Sequence, residues 1–199
     1  MTLLEEIPIE SFREASIPVL ETKRLALRAP RLEDAKTVAT LANDRRIAEN
    51  TARMPHPYKA ADAEGFITGV NKAGGEVAFL ATLRDGTVIG GCGLRLQDEV
   101  PELGYWLGVN YWGQGYATEA LHAVIDYAFT DLGHESLQAG CRVTNPASRR
   151  VLEKCGFQWT GVGLYRISAI KSSAPIDRFR LDRGLWASLK SWGRSTRIV

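Results

Sequence analysis

Hydrophobic and polar positions alternate along several short runs of the chain, which is the pattern of half-buried β-strands. Residues 77–83 and 88–96 are two such runs, joined by Asp85-Gly86 and its polar neighbours. Because Asp-Gly readily supplies the positive φ of a tight turn, these runs are predicted to form an antiparallel hairpin. Residues 102–109 extend that sheet as a meander, and residues 137–143 supply a further strand.

Other stretches repeat their apolar residues at helical spacing. A first helix is predicted over residues 31–41, after a short strand that begins at Arg24. A second covers residues 60–72 and ends at Gly74-Gly75. A third, over residues 117–128, presents one apolar face that is suited to packing on the sheet.

A shorter helix has chemically marked ends. Asn145 suits its N-cap, Pro146 its first turn, and Gly156 the left-handed position just beyond it. Later elements are predicted as strands over 157–159 and 176–181 and a helix over 184–192. This order predicts an α/β (α+β) fold with mixed structure around one sheet.

Length and composition indicate one domain. The chain has 199 residues, of which 45% are hydrophobic, and this is enough to bury one substantial core. Residues 1–20 contain two prolines and no sustained period. We therefore expect an N-terminal extension, residues 1–20, in front of a single domain, residues 21–199.

Charge and hydropathy argue against two classes of partner. A formal charge of +2 provides no broad field for binding nucleic acid or an anionic membrane, so any anion site is local. No apolar stretch approaches the length of a membrane span, about 18 residues, and the acidic start is unlike a secretory signal. A cytoplasmic protein without nucleic-acid or membrane partners is expected.

The cysteines and histidines predict no metal site. Cys92, Cys141 and Cys155 are an odd number without metal-ligand spacing, and His122 and His134 have no spaced partners. Cys141 falls on the inward period of its strand. We interpret it as a small core residue and not as a covalent acetyl carrier.

The strongest chemical signal lies where a strand, a glycine turn and a helix start coincide, in residues 105–129. Gly113 and Gly115 let the backbone approach a ligand closely, and the first helical amides point outward with the positive end of the helix dipole. Such a turn suits a pyrophosphate. A tight connection without any ligand is the alternative, but a second turn-and-helix unit over residues 145–157 favours the ligand site.

Three segments, taken together, carry a family resemblance. They are Glu102-Leu-Gly-Tyr-Trp-Leu, Tyr111-Trp-Gly-Gln-Gly-Tyr-Ala-Thr-Glu-Ala120 and Asn145-Pro-Ala-Ser-Arg-Arg-Val-Leu-Glu-Lys-Cys-Gly-Phe157. The chain resembles the GNAT superfamily, and within it the RimJ/RimL-like N-acetyltransferases, over roughly residues 21–183. The resemblance implies a GNAT fold, a central twisted mixed sheet flanked by helices, and acetyl-CoA bound where two neighbouring strands separate. It implies acetyl transfer to a primary amine without a metal.

The resemblance also implies which residues bind the coenzyme. Main-chain contacts to the pantetheine arm come from Leu107 and Val109, with donors near Val109 stabilising the developing oxyanion. Pyrophosphate contacts come from the amides of Gly113, Gln114, Gly115, Tyr116, Ala117 and Thr118. Trp112 stands where Arg or Gln is common, which weakens this site without removing it. Asn145 is either a helix cap alone or also a coenzyme contact.

Candidate acid and base residues follow from the same segments. Many family members place a tyrosine acid where this chain has Leu152, and Ser148, one turn earlier on the same helical face, is the substitute that we predict. Glu102, at the start of the strand expected to splay, is the predicted base, because a protonated amine has no lone pair. A tolerated first-turn serine and an ordinary edge glutamate are the alternatives. Tyr105 is predicted to line the amine site.

Substrate choice is expected to lie in residues 45–75. The resemblance favours the α-amino group of a protein or peptide, while small-molecule amines and amine-bearing antibiotics stay open. A noncatalytic acyl-CoA-binding sensor is the alternative from a different class of function. A monomer or a homodimer is expected.

Overall fold

A computed structural model describes residues 17–72 and 75–195 of the chain. Residues 1–16, most of the predicted N-terminal extension, lie outside the described residues, as does Gly74 of the predicted helix end. The part of the extension that is described does contact the domain, since Ile17 and Leu20 pack against its core.

Eight strands and six α-helices make up the described part of the chain. The strands are β1 (Leu20–Glu21), β2 (Leu25–Arg28), β3 (Glu76–Leu83), β4 (Val88–Arg95), β5 (Glu102–Leu107), β6 (Ser136–Arg142), β7 (Gln158–Ile167) and β8 (Ser172–Asp182). The helices are α1 (Ala35–Ala42), α2 (Arg45–Ala48), α3 (Ala60–Lys72), α4 (Tyr116–Thr130), α5 (Pro146–Lys154) and α6 (Arg183–Ser195).

All eight strands form one sheet, in the order β1-β2-β3-β4-β5-β6-β8-β7. Neighbouring strands are antiparallel except for β5 and β6, which are parallel. That pair is short: only Glu102 with Gln138 and Leu103 with Ala139 are in register. Beyond Leu103 the two strands separate, so an opening forms in the middle of the sheet.

Apolar side chains cover both faces of the sheet, because successive residues of a strand point to opposite sides. On one face, Phe79 and Ile89 pack with Leu121 and Val124 of α4 in the larger core. On the other face, Leu80 packs against residues of α1 and α3. Each fully buried Leu, Ile or Phe stabilises the fold by roughly 1.5–3 kcal/mol, so the two layers hold the sheet between helices.

The predicted mixed sheet flanked by helices is confirmed, as are the hairpin of β3 and β4, the meander into β5 and the bounds of α3. Several elements differ: β1 was not predicted, β5 ends at Leu107 instead of near residue 109, and β8 begins at Ser172 instead of near residue 176. The four-residue α2 was not predicted. β7 continues to Ile167 instead of ending near residue 159, because a register shift between Trp159 and Gly161 interrupts its alternation while its pairing with β8 goes on.

Candidate active site

A cavity of about 730 Å³ adjoins the place where β5 and β6 separate. Strands β3 to β6 contribute to its lining, together with α3 and the segment 50–58. Glu102, Tyr105 and Ser148 all line it. The structure thus brings together the two predicted catalytic residues and the predicted substrate-binding tyrosine.

Four of the strand residues that line this cavity are glycines, which have no side chain to fill it. Gly91 and Gly93 of β4, Gly104 of β5 and Gly140 of β6 are all part of the lining. A Cβ atom added at Gly104 would meet no heavy atom within 4 Å. A larger side chain at this position would therefore project into the space that an acceptor would use.

A row of alternating charges crosses the sheet beside the glycines. Glu76, Arg95 and Glu102 are register partners on β3, β4 and β5. Arg95 forms ion pairs with Glu102, through Oε2, and with Asp98 at 2.8 Å. Among the described residues, Oε1 of Glu102 receives no hydrogen bond, which leaves one carboxylate oxygen for an incoming amine.

Arg53, in the segment 50–58, adds a fourth charged residue to this row by pairing with Glu76. Its two terminal nitrogens donate to the two carboxylate oxygens of Glu76 at 3.0 and 2.7 Å. This bidentate contact is the strongest form of Arg–carboxylate pairing. Glu76 is consequently held more firmly than Glu102 and is less suited to accept a proton.

The hydroxyl of Tyr105 donates a hydrogen bond of 2.8 Å to Ser148 Oγ, which joins β5 to α5. Burial raises the pKa of Tyr105 to about 12, so the phenol keeps its proton at neutral pH. Because this proton occupies a lone pair of Ser148, the proton of Ser148 itself is directed elsewhere. The sequence predicts that Tyr105 lines the amine site, but it does not predict this contact, because 43 residues separate Tyr105 from Ser148.

Cys141 lines the same cavity but is a poor nucleophile. Burial raises the pKa of its thiol to about 11, and the nucleophilic form of cysteine is the thiolate. Its side chain also belongs to the larger core. The interpretation of Cys141 as a core residue is confirmed.

The glycine turn before α4 has the geometry of an anion site. Gly113 and Gly115 have φ values of 74° and 80°, and Gly115 is the N-cap of α4 without a side-chain cap. The first amides of α4, those of Tyr116, Ala117 and Thr118, have no acceptor within the helix. These donors and the helix dipole suit a phosphate group.

An acidic residue in the first turn of α4 is neutralised by Arg24. Arg24 Nε lies 2.6 Å from Glu119 Oε2, and its main-chain N–H donates to Oε1 at 2.7 Å. Burial alone would raise the pKa of Glu119, but hydrogen bonds from Thr22 and Arg24 outweigh it and lower that pKa. Without this neutralisation, the carboxylate would repel an anion at the helix start.

Arg24 also braces the turn itself. Its Nη1 donates to the carbonyl of Gln114 at 2.9 Å, and its guanidinium lies 4.4 Å from the ring centroid of Tyr116. Sequence reasoning missed this residue, because 95 positions separate Arg24 from Glu119 and no local pattern links them. A basic side chain thus stands at the turn although Trp112 occupies the usual basic position.

Trp112 fixes the other side of the turn. Its indole Nε1 donates to the carbonyl of Leu107 at 2.8 Å, and its main-chain N–H donates to the carbonyl of Val109 at 3.2 Å. Of the two predicted pantetheine contacts, Leu107 ends β5, whereas Val109 lies beyond the strand, in a 3₁₀-helix (Val109–Tyr111) just before the glycine turn. Each carbonyl has a second lone pair for a ligand.

Helix α5 runs along the opening, between the glycine turn and the residues that line the cavity. Asn145 Oδ1 accepts the N–H of Ser148 at 3.0 Å, which confirms the predicted N-cap. At the other end, Cys155 Sγ lies 3.9 Å from the carbonyl of Thr118 in α4. Ser148 is thus near the point where the strands separate, and the end of α5 is near the glycine turn. A coenzyme contact of Asn145 stays a prediction.

Metal-ligand clusters and membrane-spanning helices are both absent from residues 17–72 and 75–195. These residues contain no group of three or more His, Cys, Asp or Glu side chains placed to hold a metal ion. None of their helices is long and apolar enough to cross a membrane.

Comparisons with known proteins match this arrangement. The family model described as "Acetyltransferase (GNAT) domain" matches residues 24–158. The protein named uncharacterized N-acetyltransferase p20, from Bacillus licheniformis, is 32% identical over 149 residues, which are 72% of this chain and 84% of that protein.

Solved structures support the fold. Spermidine N-acetyltransferase from Vibrio cholerae, in complex with CoA and spermine, has a TM-score of 0.72 at 21% identity, covering 83% of this chain and 99% of that one. RimJ from Mycobacterium smegmatis, in complex with CoA-disulfide, has a TM-score of 0.72 at 20% identity, covering 85% and 90%. The chain belongs to the GNAT acetyltransferase family, has the GNAT fold and is an N-acetyltransferase.

Proposed function

We propose that this chain binds acetyl-CoA along α5 and transfers the acetyl group to a primary amine held in the cavity. The observation that carries the proposal is the opening between β5 and β6. At one end lies the glycine turn with its free amides, and at the other lie Glu102 and the Tyr105–Ser148 pair. Helix α5 contacts both ends, through Ser148 with Tyr105 and through Cys155 with the carbonyl of Thr118.

The coenzyme end fits a pyrophosphate. In the proposal, the amides from Gly113 to Thr118 bind it, and Arg24 cancels the charge of Glu119. A Cβ atom at Gly113 would meet nothing within 4 Å, so the turn has room for a ligand beside its backbone. Leu107 and Val109 would contact the pantetheine arm, with Asn145 as a further contact through its free amide nitrogen.

Bound acetyl-CoA would supply the acetyl thioester. Glu102 would accept a proton from the amine through Oε1, which frees the lone pair that forms the new C–N bond. Ser148 would give its proton to the sulfur as the C–S bond breaks. Tyr105 would act as a positioning residue, because its hydrogen bond orients the hydroxyl of Ser148.

The acceptor that we favour is the α-amino group of a protein or peptide, as in the RimJ/RimL-like branch. The similarity to RimJ supports this choice, and the similarity to a spermidine acetyltransferase keeps small amines as the alternative. A terminal amine has a reference pKa of about 7.7–8.0 against about 10.4 for lysine, so less assistance from a base is needed.

The proposal is tested with the full chain, acetyl-CoA and a panel of amines that includes short peptides and spermidine. Thiol release and the mass of the acetylated product would be followed together. Gly104→Leu should abolish most turnover while coenzyme binding persists, because the new side chain enters the cavity. Gly69→Leu is the matched control, since Gly69 also has no neighbour within 4 Å but lies outside the cavity lining.

The outcomes separate the candidate functions. Acetylated product that is lost in Gly104→Leu and retained in Gly69→Leu supports acetyl transfer in this cavity. Coenzyme binding without product for any amine would contradict catalysis and favour the acyl-CoA sensor. Equal turnover in both variants would contradict the position of the acceptor.

A further inference from the structure

Arg142, the last residue of β6, faces the acceptor cavity. Gln138 pairs with Glu102, and Arg142 follows it by two alternations of the strand, so the three side chains share one face of the sheet. Arg142 is also part of the cavity lining. It lies in the part of β6 that has separated from β5.

Arg142 differs in its hydrogen bonding from Arg53 and Arg95, the other two arginines of the lining. Its Nη1 donates to the carbonyl of Glu49 at 3.1 Å, and its Nε is buried without a hydrogen-bond partner. Within the described residues, no carboxylate lies at ion-pair distance from it, whereas Arg53 pairs with Glu76 and Arg95 with Glu102. Buried polar groups are normally satisfied, so its hydrogen bonds are incomplete.

The carboxylates of the lining are less available than this cation. Glu76 and Glu102 are engaged by guanidinium groups. Asp62, on the first turn of α3, accepts the main-chain N–H of Lys59 at 2.7 Å. A polycationic acceptor such as a polyamine would find no open carboxylate oxygen at Glu76 and only Oε1 at Glu102, whereas an anionic group would find Arg142 without an ion pair among the described residues.

We propose that the acceptor amine also carries a carboxylate, which Arg142 binds. This inference rests on the proposed acetyl transfer and narrows its substrate class. Charge-assisted hydrogen bonds from a guanidinium to a carboxylate are among the strongest that a binding site makes. Two sources share this chemistry: a free amino acid, and a peptide with an acidic residue near its N-terminus.

The test compares amines that differ only in the carboxylate. One arm pairs free amino acids with their amides, and the other pairs C-terminally amidated tripeptides that carry Asp or Asn in the second position, with spermidine as the polycation. The carboxylate member of a pair should have a kcat/KM roughly 10- to 100-fold above its neutral partner. The arm that shows the difference identifies the source of the carboxylate.

Variants assign the preference to Arg142. Arg142→Gln should remove this difference by lowering kcat/KM for the carboxylate members far more than for the neutral members, while Arg142→Lys should retain part of the preference. Arg31→Gln is the matched control, because the side chain of Arg31 is exposed, pairs with Glu33 and lies outside the lining. Calorimetric binding of the same carboxylates to the coenzyme complex gives a readout without turnover.

Several results would overturn the inference. Equal kcat/KM within every pair, a preference for spermidine, or an equal loss on both members in Arg142→Gln would each do so and leave acetyl transfer intact. No acetylation of any amine would instead contradict the proposed function. Carboxylate binding that is lost in Arg142→Gln would then still support the anion site, and no such binding would contradict it.

Discussion

The two ends of the opening between β5 and β6 are built in different ways. The proposed coenzyme end consists of consecutive main-chain amides of one turn, residues 113–118, at the start of one helix. The acceptor end uses side chains from separate segments, including Arg53, Glu102, Arg142 and Ser148. A site made of one turn is encoded locally, whereas a site made of meeting side chains depends on the whole fold. The two ends should therefore respond differently to substitution.

The largest effect is expected at the acceptor end, for Glu102→Gln. Loss of a general base should reduce turnover by roughly 10²–10⁴-fold near neutral pH, with coenzyme affinity close to normal. The deficit should shrink as pH rises through the pKa of the amine, about 7.7–8.0 for a peptide terminus, because solvent then deprotonates the substrate. pH–rate profiles on one identified substrate measure this.

Glu76→Gln is the matched control for that variant, since Glu76 lies in the same charged row but is held by two hydrogen bonds from Arg53. It should affect turnover less and without a pH-dependent rescue. A deficit in Glu102→Gln that stays constant across the titration of the amine would show that Glu102 positions the substrate and is not its base.

The second largest effect is expected for the hydroxyl groups of Ser148 and Tyr105. Ser148→Ala should slow turnover by about 10²-fold, and Tyr105→Phe by about 2- to 10-fold, because Tyr105 contributes a single hydrogen bond to the donor. The double variant should be no slower than Ser148→Ala, since Tyr105 acts through Ser148. Single-turnover rates and coenzyme affinities would be measured for all three. Additive losses would mean that Tyr105 contacts the substrate independently.

A smaller effect, on affinity instead of rate, is expected at the coenzyme end. Valine at Gly115, where φ is 80°, introduces strain of about 1–3 kcal/mol, so Gly115→Val should weaken coenzyme binding about tenfold or more. Gly133→Val is the matched control beyond the other end of α4, where φ is 70°. It should lower stability alone. Calorimetric titration that finds equal affinities in both folded variants would exclude the turn as the binding site.

The smallest effect concerns stability and involves neither end. Burial alone would raise the pKa of Asp34, but bidentate hydrogen bonds from Arg28, at 2.7 and 2.8 Å, help to lower it below the usual value. A lowered folded-state pKa stabilises the protein above the unfolded pKa of about 3.9 and loses that effect as the pH falls. Asp34→Asn should cost about 1–3 kcal/mol at neutral pH and progressively less in acid. Denaturant unfolding at several pH values tests this, and a deficit independent of pH would contradict it.

Much of the coenzyme end could be predicted from the sequence. The strand, the glycine turn, the start of α4 and the Asn145 cap all follow from neighbouring residues whose conformational preferences agree. The contacts that complete this end did not follow, because Arg24 and Glu119 meet only after the sheet has formed. The neutralisation of Glu119 by Arg24 beside the glycine turn is thus a property of tertiary structure.

The acceptor end could be predicted only as a set of candidates. Glu102, Tyr105 and Ser148 were identified, but the ion pair of Glu102 with Arg95 and the hydrogen bond between the two hydroxyl groups were not. Arg142 carried no signal at all, since a single arginine at a strand end has no pattern around it. Partners from different elements meet through packing, and hydrophobic periodicity gives no information on which polar groups will face one another.

If the coenzyme binds at the start of α4 as proposed, the contact of Arg24 with that helix start would link coenzyme occupancy to the first strands of the sheet. Thr22 and Arg24, just before β2, both bond to Glu119, the residue directly after the amides proposed to bind pyrophosphate. By thermodynamic reciprocity, a ligand that orders this helix start must also hold β2 in place, and fraying of β2 must release the ligand more easily. Amide hydrogens of β2 would then exchange more slowly with solvent as the coenzyme concentration rises, so the first strands would report on a binding event in the middle of the protein.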